Sequence, residues 1–411
     1  MEMELLGDPS AFDPRLARPD GVLPKRGSLV AQRYRLGDDI GEGGMSVVFS
    51  ARDERLGRDV ALKVLNPRLA YSQEIVTRFV NEARTLAQLD CPHVVRVFDA
   101  GVMDEPGLPT LPFMVLELLH GMELRSLVTD LDTANVGRVV GWMLQICDGL
   151  AAAHVEGIIH RDLKPANLFV VDEADGSQVV KVLDFGIARS MQAASVTFEG
   201  ERIGSPGYMS PEQIQDIRSI DERSDIWSLG VIMYELFSGS APFQAESPLE
   251  LLVQILNSSV EPLNVLRPDL PPGLAAVVQR CMQRPVAARF PNIADLADAL
   301  SAYALPRDIE LASRVRRRLN SRLLLAGSSP ITLPGESSPL ASPTPVLLLA
   351  GRARRGTRRA QGPRHYRLAV GAALMLLSLL TLTGFVRGGS PAFVAAAGTR
   401  LSAAAQGVFG K

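Results

Sequence analysis

Between residues 34 and 303 the hydrophobic pattern changes period once, and that change constrains the fold more than any other feature of the chain. It first runs in short β-type segments at 34–40, 47–51, 60–64, 94–100 and 113–118, punctuated by glycines as in a twisted antiparallel sheet. One helix interrupts them over 73–89, with Ile75, Phe79, Ala83 and Leu86 at helical spacing. After Leu119 the period is helical. Residues 134–156 carry Val136, Val139, Val140, Met143, Ile146, Leu150 and Ala153 in register, and further helices are expected over 225–238, 248–257, 273–284 and 293–302. A small β-rich half followed by a larger helical half predicts an α+β architecture of two lobes with a cleft between them. A chain of 411 residues has room for that and for extensions.

The flanks separate from this core by composition. Residues 1–33, rich in Pro, Asp and Arg, are expected to form a flexible leader; acidic and without an apolar core, they are not a secretory signal. Residues 368–386 (LAVGAALMLLSLLTLTGFV) carry no charge and lie between Arg367 and Arg387. As a helix they would span about 28 Å, close to the hydrocarbon core of a bilayer. A buried soluble helix is the alternative, but no folded segment surrounds this one, so a transmembrane helix is expected. Residues 304–367, Pro/Ser/Arg-rich and irregular, read as a juxtamembrane linker, and 387–411 as a short tail outside the cell.

Charge sets the expected orientation. Arg352, Arg354, Arg355, Arg358, Arg359, Arg364 and Arg367 crowd one flank of the apolar stretch, against Arg387, Arg400 and Lys411 on the other. Positive charge is retained on the cytoplasmic side of the cell membrane, which places the large domain there. The same arginines can meet anionic lipid headgroups. Nucleic acid is their rival partner, but aromatic interleaving is lacking, and a formal net charge of −2 gives no general reason to expect it. Cys91, Cys147 and Cys281 lie outside any CxxC spacing, which argues against a disulfide framework and suits a reducing compartment. They read as packing residues.

Three segments carry chemistry. The first is Gly41-Glu42-Gly43-Gly44-Met45-Ser46-Val47-Val48, between two predicted strands. Glycine lets a backbone approach phosphate oxygens and donate its N–H groups without an obstructing Cβ. Glycine-rich hairpins are common, so alone this says little, and a dinucleotide-binding reading fails because no helix follows. The second is Val60-Ala61-Leu62-Lys63, one Lys in an apolar strand. Such a Lys is usually a solvated edge residue, but Glu82 on the next helix, otherwise a surface carboxylate, can hold it as an ion pair aimed at two phosphates.

The third decides the chemistry: His160-Arg161-Asp162-Leu163-Lys164-Pro165-Ala166-Asn167, followed by Asp184-Phe185-Gly186. Phosphoryl transfer to a hydroxyl needs a carboxylate to orient it and accept its proton (Asp162) and a cation near the moving phosphate (Lys164). It also needs hard oxygen ligands for Mg²⁺, here the carbonyl of Asn167 and the carboxylate of Asp184.

Together these motifs resemble the eukaryotic-type (Hanks-type) protein kinase family, and most closely its bacterial transmembrane Ser/Thr members, over residues 34–303. The resemblance implies the bilobal protein-kinase fold, with ATP and Mg²⁺ in the cleft. It implies an ATP site of Ile40, the loop 41–48, Ala61, Lys63 and a hinge at Glu117 and Leu119, with Leu116 as gatekeeper. Catalysis would fall to Asp162 as base with Lys164, Lys63 and Glu82, and metal binding to Asn167 and Asp184.

Ser210-Pro211-Glu212 matches the family's A-P-E segment, Arg289 looks like the partner of Glu212, and the Asp225–Gly230 segment resembles the helix bracing the catalytic loop. Two positions depart from the pattern. Ser46 replaces a third glycine, which stiffens the loop, and Ser205 stands where Thr is usual, its hydroxyl still able to bridge Asp162 and Lys164. Lys164 favours Ser/Thr over Tyr as acceptor. Arg161 implies activation by phosphorylation between Gly186 and Glu212, with Thr197 and Ser195 ahead of Ser190.

Expected partners are ATP, protein substrates including the chain itself, and membrane lipid. A pseudokinase scaffold is the rival, opposed by the presence of Lys63, Asp162, Asn167 and Asp184. A small-molecule kinase of related fold should lack Ser210-Pro211-Glu212.

Overall fold

A computed structural model describes residues 23–103, 110–128, 136–185 and 206–327. Strands β1 (Leu29–Val30), β2 (Tyr34–Glu42), β3 (Ser46–Asp53) and β4 (Arg58–Leu65) precede helix α1 (Gln73–Gln88), and β5 (Val97–Met103) and β6 (Leu111–Glu117) follow it. They form one antiparallel sheet in the order β1-β2-β3-β4-β6-β5. β4 is central, and Val60–Leu65 are all buried, so its near-continuous apolar run is that of a strand covered on both faces. Ser72 caps α1, its Oγ accepting from the Ile75 amide at 3.4 Å. The buried stripe of α1 holds Ile75, Val76, Phe79, Val80, Ala83 and Leu86, and Glu82 among them.

The end of the expected leader is corrected here. β1 pairs with Tyr34 and Arg35, and Arg33 bridges Asp53 at 2.7 Å and Asp99 at 3.0 Å. Ala31 and Gln32 make the connecting turn with φ of 50° and 52°, a left-handed conformation that no glycine announced.

The second lobe begins with β7 (Gly121–Glu123), α2 (Leu124–Val128) and α3 (Val136–Val155), then β8 (Leu168–Asp172) and β9 (Gln178–Val182). It continues through α4 (Pro211–Gln215), α5 (Arg223–Ser238), α6 (Pro248–Asn257), α7 (Leu263–Leu266), α8 (Pro272–Cys281) and α9 (Ile293–Ser301). α3 is buried on all sides from Val139 to His154, and α5 from Ser224 to Tyr234. Helices enclosed in this way lose their polar face and become the axis of the lobe. Gly230 of α5 lets α8 approach closely, since a Cβ there would lie 2.6 Å from the Cys281 Cβ. All three cysteines are free and buried. The sheet β7-β8-β9 was not foreseen, because none of its strands exceeds five residues.

The C-terminal side departs most from expectation. The reading of 304 onward as irregular linker is overturned by a 3-10 turn, Pro306–Asp308, and a helix α10 (Ile309–Gly327) that packs on α3 and α9. Ala312 and Val315 are buried in that contact. Arg314 and Arg318 pair with Asp148 of α3, and Arg316 with Asp295 and Asp298 of α9. The arginine-rich composition that suggested a linker is the charged side of a docked amphipathic helix. The apolar stretch 368–386, its arginine-rich approach and the tail lie outside the described residues, among which no helix is long and apolar enough to cross a membrane.

Candidate active site

Lys63 is a cation on a covered central strand, 6% exposed. Its Nζ lies 3.2 Å from Glu82 Oε1 and 2.6 Å from Asp184 Oδ1. Burial opposes the ammonium charge, but the two carboxylates more than offset it and raise the Lys63 pKa. Burial likewise pushes the Glu82 carboxyl up, against the pull of Lys63. At Asp184 the surrounding protein opposes ionisation, yet the Lys63 ammonium holds the carboxyl below its ordinary value. The Asp184 side chain still keeps half its surface open, at 50%.

The Asp162 segment is held from beneath. Asp225 of α5, fully buried, accepts from the amides of His160 at 2.9 Å and Arg161 at 3.0 Å, and from His154 Nε2 at 2.8 Å. Burial works against the Asp225 carboxylate, but the His154 hydrogen bond and nearby donors keep its pKa below the usual range. This grip sustains a φ of 64° at Arg161, and Asp184 has a φ of 44°. Non-glycine residues adopt such angles at a cost of about 1–3 kcal/mol and persist in them where the surroundings over-determine the backbone.

His160 ties the two strained points together. Its Nε2–H donates to the Leu183 carbonyl at 2.9 Å, its Nδ1 accepts from the Asp162 amide at 3.3 Å, and its ring packs on Phe185 with centroids 4.6 Å apart. The Leu183 amide donates to the Asn167 carbonyl at 2.8 Å. Lys164 Nζ lies 3.1 Å from Asp162 Oδ2, and Asn167 Nδ2 donates to the same carboxylate at 3.2 Å and to the Asp162 carbonyl at 2.8 Å. Asp162, Lys164, Asn167 and Asp184 therefore share one frame.

The residues fit a nucleotide with a hard divalent cation. Asn167 commits its amide nitrogen to Asp162, and its side-chain oxygen makes no hydrogen bond among the described residues. With the open Asp184 carboxylate this gives two hard oxygen donors, the chemistry Mg²⁺ prefers. A Cβ added at Gly41, Gly43 or Gly44 would meet nothing closer than 3.7 Å. Packing does not demand glycine there, whereas close approach of phosphate oxygens does.

The Gly43 amide donates to the Ser46 carbonyl at 2.9 Å, so Ser46 leaves the hairpin intact. Ile40, beside the loop, is 50% exposed and offers an apolar face, while Ala61 and Leu116 are buried. Glu117 Oε1 accepts from the Arg96 amide at 2.8 Å and from Lys181 Nζ at 2.7 Å. Lys181, 64 residues away in sequence, escaped the sequence reading. Gly186, Ser190, Ser195, Thr197 and Ser205 lie outside the described residues.

Glu212, at the start of α4, accepts from Arg289 Nη1 and Nη2 at 2.7 and 2.8 Å and from Ser224 Oγ at 2.6 Å. Burial opposes its ionisation, and Arg289 more than offsets it, lowering the Glu212 pKa. Next to it, Gln213 Nε2 donates to the Arg161 carbonyl at 2.7 Å, so this pair anchors the catalytic segment from the far side. The family model for the protein kinase domain matches residues 34–295. The chain belongs to the protein kinase family.

Bacterial kinases are among its relatives. The kinase is 37% identical over 287 residues to the serine/threonine-protein kinase PknL of Mycobacterium tuberculosis, covering 69% of each chain. It is 37% identical over 292 residues to a probable serine/threonine-protein kinase of Corynebacterium efficiens, covering 70% of this chain and 42% of the relative. It is 38% identical over 271 residues to PknB of Mycobacterium tuberculosis, covering 66% and 42%. The kinase thus spans less than half the length of two of these relatives. They place it in the Hanks-type Ser/Thr branch of the family.

Proposed function

We propose that this kinase transfers the γ-phosphoryl group of ATP to serine and threonine hydroxyls of proteins. The observation that carries the proposal is the shared frame, in which Asp162, with Lys164 at 3.1 Å, is tied through His160 and Asn167 to the strand end holding Asp184 and Lys63. Asp162 orients the acceptor hydroxyl and takes its proton, and Lys164 meets the charge that develops on the moving phosphoryl oxygens. Lys63 holds the α- and β-phosphates beneath the glycine loop, whose amides close over them. Asn167 and Asp184 would hold Mg²⁺, which when bound neutralises phosphate charge.

Incubation with radiolabelled ATP and protein acceptors should yield phosphoserine and phosphothreonine, and Lys63→Met should remove the incorporation. Phosphotyrosine alone would overturn the acceptor class. No label above background from the intact enzyme would point instead to a nucleotide-binding scaffold.

The kinase is also proposed to phosphorylate itself between Gly186 and Glu212, with Thr197 and Ser195 the first candidates. What supports this is Arg161, held beside Asp162 through its backbone, since an arginine there can receive a phosphate of about −2 charge. Mass spectrometry of active enzyme should find phosphate in that segment, and its absence would refute the idea.

Finally, residues 368–386 are proposed as a membrane helix with the catalytic domain in the cytoplasm, on the strength of the uncharged stretch and the seven arginines preceding it. A reporter active only outside the cytoplasm should work when fused after Lys411 and fail when fused before Leu368. The opposite pattern would reverse the orientation.

A further inference from the structure

Helix α10 lies beyond the residues matched to the kinase family, which end at 295. We propose that it is a positioning element for catalysis: Arg314 and Arg318, by gripping Asp148, hold the 91–95 segment and through it the strand that leads to Asp184.

The grip starts from a buried charge. The Asp148 side chain is 0% exposed, in the middle of α3. Among the described residues its ion-pair partners are Arg314, with Nη2 2.9 Å from Oδ2, and Arg318, with Nε 2.8 Å from Oδ1. A carboxylate sealed inside a helix axis is costly unless paired, so α3 as it stands requires α10. The surface of α3 is also cut for this approach. Gly137 and Gly141 lie one turn apart, and a Cβ at either would come within 2.8 Å of Leu305 or 2.7 Å of the Asp308 carboxylate. Glycine inside a helix costs stability relative to alanine, and here its absent side chains admit the chain that leads into α10.

From Asp148 the contacts run toward the active site without a gap. Cys91 Sγ donates to Asp148 Oδ2 at 3.3 Å, and Arg318 Nη1 donates to the Asp90 carbonyl at 3.3 Å. Arg314 Nη2 donates to His93 Nε2 at 2.9 Å, while His93 Nδ1–H donates to the Val180 carbonyl at 3.1 Å. Burial drives the His93 pKa down to about 4, so the ring is neutral and free to accept from Arg314. The Val182 amide donates to the His93 carbonyl at 2.9 Å, and the Val95 amide to the Val182 carbonyl at 3.0 Å. Two residues beyond Val182 the chain reaches Asp184 in its left-handed conformation. The last strand before the metal-ligand candidate is thus pinned to a loop that α10 pins in turn.

The test uses the full chain and the double variant Arg314→Ala/Arg318→Ala. Amide hydrogen exchange at Val95 and Val182 is expected to speed up about tenfold, a coupling of the size that packed networks transmit. Amides of α5 between Ile226 and Leu236 should keep their protection, and the transfer rate at saturating ATP should fall severalfold. Arg317→Ala, whose partner Glu310 is solvent-exposed, should change none of these.

Adding Asp148→Asn to the double variant removes the stranded charge. It should restore the melting temperature but neither the protection at Val95 and Val182 nor the rate. Three outcomes would overturn the proposal: unchanged exchange, acceleration spread equally over α5, or recovery of rate together with melting temperature. Only the rate arm rests on the proposed role of Asp184. If the chain proved inactive, exchange alone would still decide whether α10 holds this strand.

Discussion

Asp162→Asn is expected to slow phosphoryl transfer by about a hundredfold or more while ATP binds as before, the range for removing a positioned base. The amide matches the carboxylate in shape, and the main-chain bonds of residue 162 to His160 and Asn167 do not depend on its side chain. The frame around Asp225 and His160 therefore survives. What is lost is the acceptor for the hydroxyl proton and the charge facing Lys164 at 3.1 Å. Steady-state rates, with nucleotide affinity measured separately by titration, check both halves of the expectation. A variant that turns over comparably to the native enzyme would end the assignment of Asp162 as the base.

Arg289→Ala is expected to destabilise the fold by about 3–5 kcal/mol, the usual consequence of breaking a buried ion pair on one side. The Arg289 side chain is 0% exposed and that of Glu212 7%. Its removal leaves a desolvated carboxylate with Ser224 Oγ alone, beside a void next to Trp227. The sign of the pH dependence follows. In the native protein the lowered Glu212 pKa stabilises the fold above its unfolded value of about 4.5, a contribution lost as pH falls through the folded pKa. Without Arg289, burial is opposed chiefly by the Ser224 hydrogen bond, and the ionised carboxylate becomes a penalty above that pH. The deficit should be largest near pH 7 and shrink below about 4.5. Denaturant unfolding at several pH values measures it, and a loss under about 1 kcal/mol at pH 7 would show that the pair contributes little.

Some of the site was legible because its chemistry is local in sequence. Asp162, Lys164 and Asn167 fall within six consecutive residues, so the segment alone displays a base, a cation and a ligand. The two periods placed Lys63 on a strand and Glu82 on the helix that follows, close enough to suggest a pair, while the structure showed that Glu82 lies in the buried stripe of α1. A carboxylate in a buried stripe needs a partner, and the neighbouring strand supplies the cation.

What stayed hidden depends on residues far apart in the chain. Arginines in a Pro/Ser-rich region read as solvated until α10 meets Asp148, 170 residues earlier, and the helix is stable because that surface exists to receive it. The turn at Ala31 and Gln32 is imposed by pairing of β1 with β2 and by the Arg33 bridges, against the preference of both residues.

By itself, then, the sequence determined the two-lobed order of elements and the chemical groups of the catalytic segment, since both follow from periodicity and short-range spacing. Tertiary structure alone decided that Glu117 Oε1 pairs with Lys181, and that Arg161 and Asp184 sit in strained conformations. It alone decided that the folded second lobe includes α10. These features are set by where buried charges find their partners, and propensity does not encode that.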